Sequence, residues 1–158
     1  MPLHPKNLVW LFLSAFILLL DQSSKYCVVH SLAFGEFVSV LPFFNVTLSY
    51  NSGAAFSLLA NAGGWQLIFF SVISIAVVVL FSYWLLKLKP YSVLQSSALS
   101  LIIGGAIGNL WDRVHLGVVV DFLDFYYKHW HFATFNVADS AICIGAALLI
   151  LHGIFSKP

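Results

Sequence analysis

The segment from Trp65 to Leu86 constrains the fold of this chain more than any other feature of its sequence. It has twenty-two residues and no charged side chain. As an α-helix it would be about 33 Å long, enough to cross the roughly 30 Å hydrocarbon core of a bilayer. Only 8% of the 158 residues are charged, whereas soluble domains carry about 25%. The sequence therefore predicts an integral membrane protein.

Three further apolar segments predict three more helices. The charge-free part of the first, from Leu8 to Leu20, has the length of a signal-peptide core. No cleavage site of small residues follows it, so we expect the helix to continue with Asp21 and Lys25 in its outer part. In the third segment Ser100, Gly104 and Gly108 recur every four residues, which favours close approach of a neighbouring helix. The predicted spans are residues 8–29, 65–86, 92–111 and 137–155.

The distribution of charge predicts the topology. Four lysines precede the first span, separate the second from the third, or follow the fourth: Lys6, Lys87, Lys89 and Lys157. Short loops rich in lysine stay in the cytoplasm, so both termini are expected there. All six acidic residues then fall at or beyond the opposite ends of the spans: Asp21, Glu36, Asp112, Asp121, Asp124 and Asp139.

Two connections on the acidic side are long enough to have structure of their own. Within residues 31–63, Val46, Leu48 and Tyr50 alternate with polar residues, which predicts a half-buried strand, and "EFVSVLPFF" is expected to pair with it. Residues 114–135 are aromatic and amphipathic, and we expect them to lie in the membrane interface.

The expected fold class is therefore an integral membrane protein, mainly α. It has four transmembrane helices, a small extracytoplasmic antiparallel β-sheet and an interfacial amphipathic segment. Residues 1–158 are expected to form a single membrane-embedded domain.

Two aspartates are the strongest candidates for chemistry. Asp121 follows three valines in "GVVVDF", where an unpaired carboxylate is costly. Asp139 lies near the start of the fourth helix, where a capping box with Asn136 and the helix dipole are alternative reasons for its presence. If the two meet, one keeps a proton while the other accepts a proton from water that attacks a carbonyl. The dipole favours ionised Asp139, which leaves Asp121 as the better candidate for the protonated member.

Other acidic residues remain alternatives. Asp112 adjoins Arg113 and Asp124 lies three residues beyond Asp121, so either could replace a member of the pair. The simpler interpretations are a local ion pair for Asp112 and a solvated interfacial charge for Asp124.

Several polar residues recur at helical spacing. Asp21 and Lys25 are four residues apart and predict a structural pair near the lipid headgroups, with the lysine reaching the surface. Asn109 and Arg113 have the same spacing and could also hold a substrate carbonyl. Asn51 lies in a turn expected to face the same surface.

Other classes fit the sequence poorly. A net charge of +1 gives no nucleic-acid footprint. The histidines are scattered, and neither a metal site nor a serine-nucleophile elbow is recognisable. A small transporter or channel is the main alternative, because acids often line conduction pathways. However, the acids lie at one side, with none midway through a span. A structural subunit that uses the small-residue stripe would leave Asp121 unexplained.

Five short motifs occur in the order typical of one family: "DQSSK" (21–25), "NSGAAF" (51–56), "GGAIGNLWDR" (104–113), "GVVVDF" (117–122) and "FNVADS" (135–140). Together they resemble the lipoprotein signal peptidase (signal peptidase II) family over nearly the whole chain. The resemblance implies a multi-pass aspartic endopeptidase of the bacterial inner membrane, with its active site near the extracytoplasmic face. It would cleave prolipoproteins just before a diacylglyceryl-modified cysteine, contact membrane lipids, and need no cofactor, metal or obligate protein partner.

The resemblance also implies roles for individual residues. Asp121 and Asp139 are the expected catalytic pair, and Asp21 and Lys25 the expected structural pair. Six residues are expected to bind substrate or support the site: Asn51, Gly53, Asn109, Arg113, Asn136 and Ala138. The sheet region, residues 31–63, and the interfacial region, residues 114–135, would form a cradle and a lid over the site.

Overall fold

The computed structural model describes residues 3–53, 64–89 and 92–155. A 3-10 helix at Pro5–Trp10 leads directly into the first of four long helices. The helices are α1 (Leu11–Ser31), α2 (Trp65–Lys87), α3 (Val93–Leu116) and α4 (Val137–Phe155). The strands are β1 (Phe37–Leu41), β2 (Phe44–Asn51), β3 (Val119–Tyr127) and β4 (Trp130–His131).

All four predicted spans are present as helices long and apolar enough to cross a membrane. The observed α3 continues five residues past the predicted end at residue 111, so Arg113 lies in the helix rather than in a loop. Gly117 ends it in a left-handed conformation, with φ of 74°, which glycine adopts without strain.

The small residues of α3 allow α1 to pack closely against it, as predicted. A Cβ atom on Gly104 would lie 2.7 Å from the backbone oxygen of Ser14, and one on Gly108 would lie 2.6 Å from Oδ2 of Asp21. The Ser14 hydroxyl donates to the backbone oxygen of Ser100 at 2.8 Å. Larger side chains at these glycines would separate the two helices and displace Asp21.

At the end of the bundle away from the sheet, the start of the chain is fastened to α2. The buried Asn7 amide donates to the backbone oxygens of Leu85 and Leu88, at 3.0 and 2.9 Å. Leu85 lies in the last turn of α2 and Leu88 is its C-cap residue, where backbone carbonyls lack the next helical turn as a partner. The two bonds therefore fix the beginning of α1 relative to α2.

The sheet is antiparallel with strand order β1-β2-β3-β4. The predicted pairing of β1 with β2 is confirmed, with Val38 opposite Val46, and Pro42 lies in the turn between them. Leu48 of β2 is buried against Val28 of α1. The sheet thus covers one end of the helical bundle, called the sheet end below.

The sheet includes a segment that the sequence analysis placed elsewhere. Residues 114–135 were expected to form an amphipathic segment in the membrane interface. Instead, residues 119–127 of this segment form β3, which pairs with β2. The first four residues of β3 are all buried. The sequence therefore lacks the alternation of a half-buried strand and shows an apolar run that only Asp121 interrupts. Residues 54–63, the last part of the predicted sheet region, lie outside the described residues.

Candidate active site

The start of α4 carries the reciprocal hydrogen bonds of the capping box that was an alternative reason for the presence of Asp139. The Asp139 backbone N–H donates to Oδ1 of Asn136 at 2.9 Å, and the Asn136 N–H donates to Oδ2 of Asp139 at 3.3 Å. This is a capping box with asparagine as the N-cap residue. The other carboxyl oxygen of Asp139 accepts a 2.7 Å bond from Nδ2 of Asn109. The cap thus holds a half-buried carboxyl group in a defined orientation.

Asp121 comes to the same place from β3. Asp121 is buried, with only 1% of its surface exposed. Oδ1 accepts a 2.7 Å bond from Nδ2 of Asn136, and Oδ2 accepts a 3.1 Å bond from Nδ2 of Asn51 on β2. The strand pairing and the two amides therefore fix both oxygens of this carboxyl group.

A single residue, Asn136, thus contacts both candidate catalytic carboxyl groups. Its side-chain amide donates to Asp121 and its backbone N–H donates to Asp139. Within residues 3–53, 64–89 and 92–155, neither aspartate forms an ion pair. Two carboxyl groups held close together by neutral donors favour a state in which one of them keeps a proton.

Burial raises the pKa of Asp121 from its ordinary value of 3.8 to about 7, and the negative charge of Asp139 raises it further in the same direction. Hydrogen bonds from Asn51 and Asn136 and the positive charge of Lys25 oppose this shift. Near neutral pH, Asp121 therefore exists in both protonation states, which suits a group that must give and take a proton.

A second group of charges lies beside this site. Nζ of Lys25 is 2.8 Å from Oδ2 of Asp21 and 2.8 Å from Oδ2 of Asp112, and all three side chains are buried. The predicted pairing of Asp21 with Lys25 is therefore present. The lysine does not reach the membrane surface as expected, because two carboxylates hold it in the interior.

This ion cluster, Asp21, Lys25 and Asp112, also supports the elements that carry the site. Asp112 accepts the backbone N–H of Val120, next to Asp121, at 3.1 Å. Asp21 accepts the backbone N–H of Ala138, next to Asp139, at 2.9 Å. The cluster thereby ties β3 and the start of α4 to α1 and α3.

Asn109 connects the ion cluster with the site. Its Oδ1 accepts from Nζ of Lys25 at 3.3 Å and from Nδ2 of Asn136 at 3.2 Å. With its oxygen engaged in this way, its Nδ2 faces Asp139. The lysine therefore determines which end of the Asn109 amide meets the carboxyl group.

Arg113 fixes the turn that follows β2. Its guanidinium donates to the backbone oxygen of Gly53 at 3.2 Å and lies 5.4 Å from the ring centre of Phe70. The Gly53 N–H in turn donates to Oδ1 of Asn51 at 2.9 Å. Arg113 and Gly53 therefore help to hold Asn51 against Asp121. Residues 54–56 of the "NSGAAF" motif lie outside the described residues.

Asp112 and Asp124 differ from their simplest interpretations. Asp112 pairs with Lys25 rather than Arg113, because the long α3 turns it towards α1, on the same side as Gly108. Asp124 is buried rather than solvated, bonded to Nδ2 of Asn45 at 3.0 Å and to Nδ1 of His131 at 2.9 Å. Three residues apart on one strand, Asp121 and Asp124 project to opposite faces.

Gln22 was missed by the sequence analysis. Its Nε2 donates to Oδ1 of Asp112 at 2.9 Å and to Oδ2 of Asp21 at 3.1 Å. A polar residue beside Asp21 within an apolar helix was the available signal, but its partners on α3 are distant in the sequence.

An apolar cavity of about 360 Å³ runs from the site into the bundle between α2, α3 and α4. Asn109 and Arg113 line its polar end, and Phe70, Val77 and Phe81 of α2 line its length. This bundle cavity brings an apolar surface up to the candidate site.

The fold and the site together define a class, a multi-pass membrane protein with paired carboxyl groups at one end of its helical bundle. Comparison with known proteins narrows the class. Residues 13–155 match the sequence model of the family described as Signal peptidase (SPase) II. This chain belongs to the signal peptidase II family, and it is a bacterial inner-membrane peptidase of lipoprotein processing.

The relatives cover nearly the whole chain. A lipoprotein signal peptidase of Coxiella burnetii (strain RSA 331 / Henzerling II) is 53% identical over 94% of this chain and 93% of its own length. One from Salmonella newport (strain SL254) is 48% identical over 99% and 95%. A bacterial membrane enzyme determined by the in meso method at 2.3 Å resolution superposes with a TM-score of 0.84 and 33% identity, covering 92% of this chain and 87% of its own.

Proposed function

We propose that this protein is an aspartic endopeptidase that removes signal peptides from diacylglyceryl-modified prolipoproteins, cutting just before the lipidated cysteine. The observation that carries the proposal is the contact of Asn136 with both Asp121 and Asp139. Membership of the signal peptidase II family supports the peptidase class and the prolipoprotein substrate. The aspartic mechanism rests on the geometry of the two carboxyl groups.

The proposed reaction uses one water and one shared proton. Ionised Asp139 accepts a proton as the water oxygen attacks the carbonyl carbon of the residue before the cysteine. Protonated Asp121 donates to the carbonyl oxygen, which becomes the hydroxyl of a tetrahedral intermediate. When the carbon–nitrogen bond breaks, the leaving amine of the cysteine takes a proton from Asp139, and Asp121 recovers its proton from the intermediate. Both carboxyl groups thus return to their starting states.

The remaining residues serve this pair in distinct ways. We assign Asn51, Asn109 and Asn136 to the orientation of the carboxyl oxygens, on the basis of their direct hydrogen bonds. Arg113 and Gly53 position Asn51 and lie at the mouth of the bundle cavity, where the substrate chain would enter. Ala138 is small and buried, so α4 can start next to Asp21.

The proposed orientation follows from charge. Lys6, Lys87 and Lys89 belong to the end of the bundle away from the sheet, and positively charged short loops stay in the cytoplasm. Both termini are therefore proposed to be cytoplasmic, with the site near the extracytoplasmic face. Residues 1–158 act as one peptidase domain. Any closure of residues 114–135 over the substrate would move β2 together with β3, since the two strands are hydrogen-bonded.

The direct test incubates the purified protein in detergent with a synthetic diacylglyceryl-modified prolipoprotein, with and without EDTA. Mass spectrometry should find a signal peptide that ends at the residue before the modified cysteine, and EDTA should leave the rate unchanged. Cleavage at another bond would contradict the proposed specificity. Loss of cleavage with EDTA that added metal restores would contradict the aspartic mechanism.

A further inference from the structure

A second cavity, of about 260 Å³, reaches the site from the other side of α4. Residues 132–135 line one wall, and Asp139, Ser140 and Cys143 of α4 line the other. Cys143 is exposed on the outside of the bundle, so this Cys143 cavity is open to the surrounding lipid. Its lining is largely apolar apart from the Asp139 carboxyl group and the hydroxyl groups of Thr134 and Ser140.

Asp139 lies between the two cavities on the surface of α4. At about 100° per residue, Ser140 and Cys143 project to one side of Asp139, whereas Ile142 and Ala146 project to the other. The first two line the Cys143 cavity and the last two line the bundle cavity. Asp139 itself lines the Cys143 cavity, and the bundle cavity lies along the neighbouring face of α4, so the candidate catalytic carboxyl group lies near the boundary between two apolar spaces.

The proposed substrate has two apolar groups that the scissile bond also divides. The signal helix lies on the amino side of this bond, and the diacylglyceryl group lies on its carboxyl side. The bundle cavity follows α2 from Phe70 to Phe81, about three turns of helix, which suits an extended apolar segment. The Cys143 cavity is smaller and lies only along the first turns of α4, which suits a compact group whose chains continue into lipid.

We propose that the Cys143 cavity is the subsite for the glyceryl group and the adjoining parts of the acyl chains of the substrate cysteine. This inference rests on the proposed function and adds the recognition site for the lipid. The signal segment then occupies the bundle cavity, and the peptide crosses Asp139 between them.

Polar groups in the cavity fit the glyceryl esters. The hydroxyl of Thr134, a half-buried residue, has no hydrogen-bond partner among residues 3–53, 64–89 and 92–155. The Ser140 hydroxyl already donates to the backbone oxygen of Asn136 at 2.9 Å. Thr134 is therefore the donor to an ester carbonyl of the substrate, and its methyl group packs against the acyl chain. An apolar guest alone would leave this hydroxyl without a partner.

The test uses two prolipoprotein peptides that differ only in their acyl chains, which are either short enough to end within the cavity or long enough to fill it and continue into the detergent. With the wild-type protein, we expect the long chains to lower KM by about tenfold, because only they fill the apolar part of the cavity. Cys143→Phe should fill the cavity, raise KM for the long-chain peptide about tenfold and remove the difference between the peptides. The matched variant Ala146→Phe fills the bundle cavity, so it should raise KM for both peptides equally.

A second measurement covers the case in which Cys143→Phe fails to fold. In a Cys27→Ser protein, an apolar maleimide should alkylate Cys143, and an uncleavable long-chain lipidated peptide should slow this reaction about tenfold. The same peptide with serine in place of the lipidated cysteine, which cannot react with the maleimide, should slow it less than twofold. Equal protection by both peptides, or retained chain-length discrimination in a folded Cys143→Phe protein, would overturn the lipid subsite while leaving the proposed peptidase function intact. Absence of cleavage by the wild-type protein would instead overturn the proposed function, and the subsite with it.

Discussion

Two groups of acidic residues lie side by side at the sheet end of the bundle, and they differ in what neutralises their charge. In the ion cluster, Asp21 and Asp112 share Lys25 at 2.8 Å each. In the candidate site, Asp121 and Asp139 receive hydrogen bonds from asparagine amides and backbone, and form no ion pair among the described residues. Both groups therefore contain two carboxyl groups, but only one contains a cation.

The difference separates a structural role from a chemical one. A buried carboxylate paired with an ammonium group holds its charge in place. A buried carboxyl group without a cationic partner can exchange a proton. Burial, and after it the negative charge of Asp139, raises the pKa of Asp121, whereas the hydrogen bonds from Asn51 and Asn136 oppose the shift. Lys25 of the ion cluster bonds to Asn109, and Asn109 bonds to Asp139. The ion cluster therefore orients a carboxyl group of the candidate site without neutralising it.

The largest expected effect is on activity. Asp121→Asn and Asp139→Asn should each lower kcat by at least about a thousandfold, or about 4 kcal/mol of barrier, because an amide can neither accept the proton of water nor give one back. Each amide keeps one acceptor oxygen, and its NH2 group meets the donor that was bonded to the second carboxyl oxygen. Since one hydrogen bond is lost, the unfolding temperature should fall by only a few degrees, about what a loss of roughly 1 kcal/mol produces. Kinetics on lipidated peptide and thermal unfolding in detergent measure both. A variant with more than a tenth of wild-type kcat would show that its aspartate is not catalytic.

A substitution in the ion cluster should instead have its main effect on stability. Lys25→Met leaves Asp21 and Asp112 buried without their cation, which should cost about 3–5 kcal/mol of unfolding free energy. Lys128→Met is the matched control, since Lys128 lies in the exposed turn between β3 and β4, and should change stability by less than about 0.5 kcal/mol. Denaturant titration in detergent compares the two. Equal stability of both variants would mean that the cluster does not hold the fold together.

The pH dependence of activity and stability distinguishes Asp121, whose proton exchanges near neutral pH, from the fixed charges of the ion cluster. Activity should fall about tenfold per pH unit above pH 7, because the protonated form of Asp121 is lost there. The same titration affects stability. In the folded protein the pKa of Asp121 lies above its ordinary value of 3.8. The contribution of Asp121 to the unfolding free energy is therefore complete below pH 3.8 and is lost as pH rises through about 7.

Rates are measured across pH 7 and unfolding free energies from below pH 3.8 to above pH 7, which covers both titrations of Asp121. Asp121→Asn should lose this part of the pH dependence of stability. A fall in unfolding free energy between pH 3.8 and about 7 that is the same in Asp121→Asn would assign it to another group.

The smallest expected effect concerns a single hydrogen bond. Asn51→Ala removes the donor to Oδ2 of Asp121, a bond that lowers the pKa of this carboxyl group. The alkaline limb of the activity profile should therefore move upward, by up to about one pH unit. Ser49→Ala is the control. Ser49 lies opposite Asp121 in the strand register, but the donors to the Asp121 carboxyl group are Asn51 and Asn136, so this variant should leave the profile unchanged. A downward shift in Asn51→Ala would contradict the assigned direction.

The sequence predicted the helices and the capping box well, because their signals are local. The apolar runs, the stripe at Gly104 and Gly108, and the spacing of Asn136 and Asp139 each lie within a few turns of one element. The strand β3 was not predicted, because its first residues are buried on both faces and show no alternation. Burial of this kind depends on the helices that cover the strand, which no local pattern reports.

The partners of the charges were harder to predict than the charges themselves. Lys25 and Asp112 are distant in the sequence, and only the close packing of α1 on α3 makes their ion pair. The adjacency of Asp112 and Arg113 favoured a local pair, but neighbouring helical residues point in different directions. The joint contact of Asn136 with Asp121 and Asp139 likewise requires β3 and α4 to be placed together.

The most direct test of the shared proton is infrared spectroscopy of the protein in detergent, titrated from pH 6 to pH 8. It follows the carbonyl band of a protonated carboxyl group. We expect one such band that disappears as pH rises through about 7 and that is missing from Asp121→Asn throughout this range. A wild-type protein without this band at pH 6, or an unchanged band in Asp121→Asn, would contradict the claim that Asp121 holds the exchangeable proton of the pair.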